Sequence, residues 1–122
     1  MEEIYKRKIV DEIVKYIDSR EIIIIYGARQ VGKTSLLKYL INNYLEKNVF
    51  YFDLELPNLL ELCNQGADSV LKYLIEKGAD EKQKIFLVID EIQYMDDPTK
   101  FLKIMHDHYS GIKLLVSGSS TF

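Results

Sequence analysis

Residues 27–34 read Gly-Ala-Arg-Gln-Val-Gly-Lys-Thr, a G-x-x-x-x-G-K-T loop. An unbroken apolar run, Ile22-Ile23-Ile24-Ile25-Tyr26, precedes it, and a helical pattern follows it. Strand, glycine turn and helix in that order are what a phosphate-gripping backbone requires. Glycines let the chain curl until successive N–H groups point at one anion. The free N–H groups and positive dipole end of the next helix face the same point. In such a loop Lys33 reaches the β- and γ-phosphates, and the Thr34 hydroxyl ligates Mg²⁺. The expected nucleotide contacts are therefore Gly27, Ala28, Arg29, Gln30, Val31, Gly32, Lys33, Thr34 and Ser35, with Thr34 also a metal ligand.

Around this loop, extended and helical patterns alternate. Ile9, Val10, Ile13, Val14 and Ile17 recur at helical spacing and predict a helix from about Glu3 to Asp18. The run Ile22–Tyr26 has no polar face, which suits a strand covered on both sides in a parallel sheet. Leu36, Leu37, Leu40, Ile41, Tyr44 and Leu45 mark a second helix, and Val49–Phe52 a second strand. Pro57 punctuates the connection that follows. Val70, Leu71, Leu74 and Ile75 predict a helix stopping near Gly78. Ile85–Ile89 reads as a third strand. Asp97-Pro98 looks like a cap and first-turn proline for a helix ended by Gly111, and Lys113–Val116 is a fourth strand. Crossovers of this length imply an α/β fold, a mostly parallel sheet with helices on both faces.

The third strand ends Val88-Ile89-Asp90-Glu91. An acid at the carboxyl edge of the sheet is where a second metal-directed carboxylate belongs. Asp90 is expected to stay ionised and hold Mg²⁺ through water. Glu91 is placed to orient and deprotonate the water that attacks the γ-phosphate.

The loop GARQVGKT, the strand ending IDEIQ and the fourth strand ending LLVSGSS together resemble the AAA-type P-loop ATPases of archaea and bacteria with a GxRQxGKT loop. Longer members of that family carry an uncharacterised C-terminal domain. The resemblance runs from about Ile4 to Thr121. It implies ATP with Mg²⁺ as ligands and a sheet ordered 5-1-4-3-2. It also implies a polar sensor at the end of the fourth strand, matched by Ser117 or Ser119, of which Ser119 is carried as a catalytic candidate. Against the family pattern, residues 1–122 form the N-terminal part of one AAA-like ATP-binding domain, truncated after the fourth strand. The fifth strand, helical lid, second sensor and arginine finger have no counterpart. Two functions stay open. Glu91 suits ATP hydrolysis coupled to a conformational change, whereas the missing lid and finger suit a nucleotide-dependent switch with little turnover.

Composition narrows the rest. Hydrophobic residues are 48% and charged residues 29% of the 122, a globular balance. One cysteine excludes an internal disulfide and suits a reducing compartment, and no apolar run has membrane-spanning length, so a cytoplasmic protein is expected. The net charge of −3 argues against direct nucleic-acid contact. His106 and His108 fall on different sides of a helix and read as surface groups, and Asp53 and Glu55 as loop polar groups. The nine tyrosines sit at core spacing. With strand five missing, Ile22–Tyr26 becomes a charge-free edge, an expected route to self-association.

Overall fold

Continuous apolar runs without a polar face become buried parallel strands, and here they do so around one central pair. The computed structural model describes residues 2–27 and 32–119, with the backbone alone for residues 2–6. The elements are α1 (Glu2–Val14), β1 (Ile23–Tyr26), α2 (Lys33–Tyr44), β2 (Val49–Asp53), α3 (Pro57–Asn64), α4 (Ala67–Glu76), β3 (Ile85–Asp90), a 3-10 turn (Ile92–Tyr94), α5 (Pro98–His108) and β4 (Ile112–Gly118). The sheet is ordered β1-β4-β3-β2 with every pair parallel. That order agrees with the family's pattern for these four strands.

Strand alternation splits the core into two layers. Leu87, Ile89, Leu114 and Val116 face α4 and α5, where Val70, Leu74 and Met105 are fully enclosed. Val88 and Leu115 face the other way and pack with Val10 and Ile13 of α1 and Leu36, Leu37 and Leu40 of α2. Truncating one of these enclosed leucines to alanine costs about 2–5 kcal/mol. Every residue of β4 is buried.

Several expectations needed adjusting. The first helix ends at Val14, and residues up to Asp18 continue as turns that still bury Ile17. Beyond Pro57 the chain is helical rather than a plain connection. Proline at the first turn, after an extended Leu56, starts α3, which buries Cys63. Gly78 has φ 102° just past α4, a left-handed stop. Asp97 caps α5, its Oδ1 accepting from Lys100 N at 3.1 Å. Strand β4 is longer than Lys113–Val116, because both its edges are paired.

β1 is not covered on both faces. Ile23 is buried, but Ile24 is 37% and Tyr26 48% exposed. The α4–α5 layer spans β2, β3 and β4, and no β1 residue joins its core. The tyrosines meet the core only in part: Tyr51, Tyr73 and Tyr109 are half-buried against it. Among those whose side chains are described none is fully buried, and Tyr16, Tyr26, Tyr39, Tyr44 and Tyr94 are exposed. A phenol needs a partner for its hydroxyl, so the rim suits it better than a dry interior.

Candidate phosphate-binding site

All four strands run the same way, so their carboxyl ends meet at one edge of the sheet. Register places Asp53 beside Asp90 and Tyr26 beside Gly118. The loop leaves this edge through Gly27, whose N–H donates to the Gly118 carbonyl at 3.3 Å. It enters α2 through Gly32, at φ 75°, ψ 31°. A Cβ on Gly32 would meet nothing within 4 Å, so the requirement for glycine is the left-handed backbone rather than space. Among the described residues no side chain caps α2, so its first N–H groups are placed to serve an anion.

Lys33, the first residue of α2, is 3% exposed, and its Nζ donates to the Gly27 carbonyl at 2.6 Å. The ammonium thus folds back along the loop instead of reaching into solvent. On the next residue, the Thr34 hydroxyl donates to Asp90 Oδ2 at 2.7 Å. The same oxygen accepts from Tyr51 OH at 2.6 Å. Oδ1 accepts from the Ser117 hydroxyl of β4. Burial alone would push the Asp90 carboxyl up. The hydroxyls of Ser117, Tyr51 and Thr34 and the charge on Lys33 outweigh it and hold Asp90 below its ordinary value. Burial and the neighbouring carboxylate push the Tyr51 phenol up, so it stays a donor.

Glu91 follows at φ 65°, ψ 49°, a left-handed conformation in a non-glycine residue. Its N–H donates to Ser117 Oγ at 3.0 Å, and its Oε2 accepts from Gln93 Nε2 at 2.8 Å. This left-handed residue leads from the end of β3 into the 3-10 turn, and it is buried, 6% exposed, with its carboxylate beside Gln93.

The structure therefore brings together Gly27, Lys33, Thr34 and Asp90, with Glu91 adjoining. Ser35 is exposed on the first turn of α2. Ala28, Arg29, Gln30 and Val31 lie outside the described residues. Of the two sensor candidates, Ser117 is wholly buried and occupied with Asp90 and Glu91. Ser119 sits half-buried at the tip of β4, its N–H on Gln93 Oε1 at 3.1 Å. Asp53 closes a local turn, its Oδ1 accepting from Glu55 N at 3.0 Å. His106 lies 3.0 Å from Asp107, away from these groups in the fold.

Tyr51 and Gln93 escape sequence reasoning. Period-two alternation was the available signal for Tyr51, since it puts that residue on the same face of β2 as Asp53, toward α2. Nothing in the spacing of Gln93 points to Ser119.

One carboxylate beside one hydroxyl suits Mg²⁺, which keeps several waters and takes its remaining ligands from phosphate oxygens. Among the described residues no group of three or more His, Cys, Asp or Glu could hold a metal by itself.

A parallel sheet with a glycine loop opening its second helix and a carboxylate ending its third strand defines a P-loop NTPase fold of the α/β class. A family model for the AAA domain matches residues 19–122, and the chain belongs to that family. It is 31% identical over 98 residues to the uncharacterized protein MJ1544 of Methanocaldococcus jannaschii, covering 80% of this chain and 21% of that protein. It is 33% identical over 88 residues to the uncharacterized ATP-binding protein MJ1301 of the same organism, covering 68% and 21%. The chain thus spans about a fifth of the length of these relatives. The structure of C. elegans PCH-2 superposes with a TM-score of 0.56 at 15% identity, over 95% of this chain and 38% of that one. At that identity the likeness speaks for the fold.

Proposed function

We propose that this domain binds ATP with Mg²⁺ and that the complete protein hydrolyses the ATP, coupling turnover to a conformational change. The observation that carries the reading is the convergence on Asp90. A buried, ionised carboxylate from β3 accepts the hydroxyl of the loop threonine within reach of the loop lysine's charge. Belonging to the AAA-domain family and being similar to a protein named for ATP binding support it.

In this reading residues 27–35 hold the phosphates through backbone N–H groups, and Lys33 supplies a positive charge at the β- and γ-phosphates. Thr34 and Asp90 hold Mg²⁺, which when bound neutralises phosphate charge. Glu91 accepts a proton from the attacking water. Ser119, at the tip of β4, faces the γ-phosphate end of the site. The domain works in the cytoplasm on ATP and ADP, without a direct hold on nucleic acid. Among the described residues no helix is long and apolar enough to cross a membrane.

Lys33→Ala tests the site. Removing that charge is expected to weaken Mg-ATP binding at least tenfold, about 1.4 kcal/mol. Superimposable titration curves for the two proteins would overturn the assignment. Phosphate release measured beside affinity in the complete protein separates an ATPase from a switch that binds and barely hydrolyses.

A further inference from the structure

Gln93 is the one polar residue of the IDEIQ segment to which the proposed function gives no role, yet both ends of its amide are used. Nε2 donates to Glu91 Oε2 at 2.8 Å, and Oε1 accepts from Ser119 N–H at 3.1 Å. Only one orientation of the amide serves both partners. Turned over, its oxygen would face a carboxylate oxygen and its NH₂ would face an N–H. The residue is also well seated. It lies on the 3-10 turn, between Ile92, which is fully buried, and Met95, which is 6% exposed. That turn is closed by Tyr94 N–H on Glu91 O at 3.3 Å and Met95 N–H on Ile92 O at 3.0 Å.

The N–H of Ser119 and the carbonyl of Gly118 belong to one peptide group, which is planar and turns as a unit. That carbonyl accepts from Gly27 N–H, where the phosphate loop begins. The loop, the tip of β4, the Gln93 amide and the Glu91 carboxylate therefore form one continuous run of hydrogen bonds through a single peptide plane. We propose that Gln93 is a positioning residue: it fixes the Glu91 carboxylate to the Gly118–Ser119 peptide, so that the seating of the phosphate loop sets where the base points. The inference rests on the reading of Glu91 as the base.

Glutamate left alone spreads over several rotamers, and holding it in one costs conformational entropy. A charge-assisted hydrogen bond from a rigidly held amide removes that freedom before substrate arrives. Gln93→Met keeps the stem and bulk but ends both hydrogen bonds. Gln93→Glu keeps an acceptor for Ser119 N–H but sets one carboxylate against another.

The test has two readouts in the complete protein. Without nucleotide, hydrogen exchange at the Ser119 amide is expected to quicken about tenfold in Gln93→Met and to stay near the wild-type rate in Gln93→Glu. With ATP, both variants are expected to lower kcat at least tenfold while the affinity for ATP changes less than about twofold. The double variant Glu91→Gln, Gln93→Met should turn over no more slowly than Glu91→Gln alone, because Gln93 acts through Glu91. Unchanged Ser119 exchange in Gln93→Met would overturn the bridge. So would a loss of ATP affinity or thermal stability matching the loss of rate, which marks a merely structural role. If Glu91→Gln abolishes turnover and Gln93→Met leaves it intact, this inference alone falls. If Glu91→Gln turns over at the wild-type rate, the assignment of the base falls with it.

Discussion

Lys113 enters β4 with its side chain 4% exposed, and its Nζ is spent on the end of the first helical segment. It donates to the carbonyls of Tyr16 at 2.7 Å and Ser19 at 2.9 Å, to the Ser19 hydroxyl at 3.3 Å, and to the carbonyl of Glu21. One ammonium thus gathers the turn between α1 and β1 and fastens it to the start of a central strand. Lys113→Met keeps the stem's volume and removes the donors. Hydrogen bonds from a charged group are worth about 1.5–3 kcal/mol each. Two considerations keep the total well below the sum. Tyr16 and Glu21 are exposed, so their carbonyls recover water. Burial, with Lys84 nearby, also pushes the Lys113 ammonium below its ordinary value against the pull of Glu21 and Asp18, so its desolvation offsets part of the gain. A loss of about 2–3 kcal/mol is expected, which for a chain of this size lowers Tm by roughly 8–12 °C. Urea unfolding of both proteins, monitored by circular dichroism, measures it. A variant within about 0.5 kcal/mol of wild type would show that the turn holds without the ammonium.

Three further outcomes follow from the site and the sheet. Asp90→Asn is expected to weaken ATP binding about fivefold or more in the presence of Mg²⁺ and little in its absence; equal losses with and without the metal would remove Asp90 from the metal site. The folded-state pKa of Asp90 lies below its unfolded value of about 3.9, so between the two the unfolded chain binds more protons. The Asp90 contribution is therefore fully present above that unfolded value and is lost as pH falls through the folded one. Urea midpoints between pH 3 and 7 should drop at the acid end, by less in Asp90→Asn, and parallel curves would contradict this. At the edge of the sheet, Ile24→Lys should raise the monomer fraction seen by light scattering, since among the described residues β1 has one strand partner and offers Ile24 beside a mainly apolar groove of Ile13, Tyr16, Ile22 and Ile23 flanked by Glu12 and Glu21. Wild-type protein that stays strictly monomeric at high concentration would end the proposal of self-association through β1.

The strands and the phosphate loop were legible because each is a local pattern. Four apolar runs alternate with helical spacing, and the glycines and lysine sit within eight consecutive residues. The order of the strands came from the family resemblance, since nothing local in Ile112–Gly118 says that this segment lies between β1 and β3. What escaped depends on contacts between distant segments. Lys113 reads as a polar residue at a strand entrance until Tyr16, Ser19 and Glu21 arrive beside it. The Tyr51 hydroxyl finds Asp90 across a strand boundary, and Gln93 matters only once the tip of β4 is overhead. Helix α3 was hidden differently, because Pro57 reads equally as a break in the chain or as the first residue of a helix. The exposure of Ile24 could not be read from its neighbours, since it depends on where the α4–α5 layer stops.

Of the strands among the described residues, β4 comes last in sequence yet lies between β1 and β3. β4 is the sole strand partner of β1 among the described residues, Ile23 lying beside Leu115, and Leu115 lies in turn beside Val88 of β3. Until Ile112–Gly118 docks, the strand that carries the phosphate loop and the strand that carries Asp90 and Glu91 belong to separate pieces of sheet. Closing that gap means ordering a long intervening stretch before the pairing returns any free energy, a slow step with both strand edges open meanwhile. The order of synthesis therefore runs against early ligand capture. A nascent chain displays its loop first and its acids much later, and the two share a sheet only when β4 docks, so nucleotide has little to hold until that strand is in place.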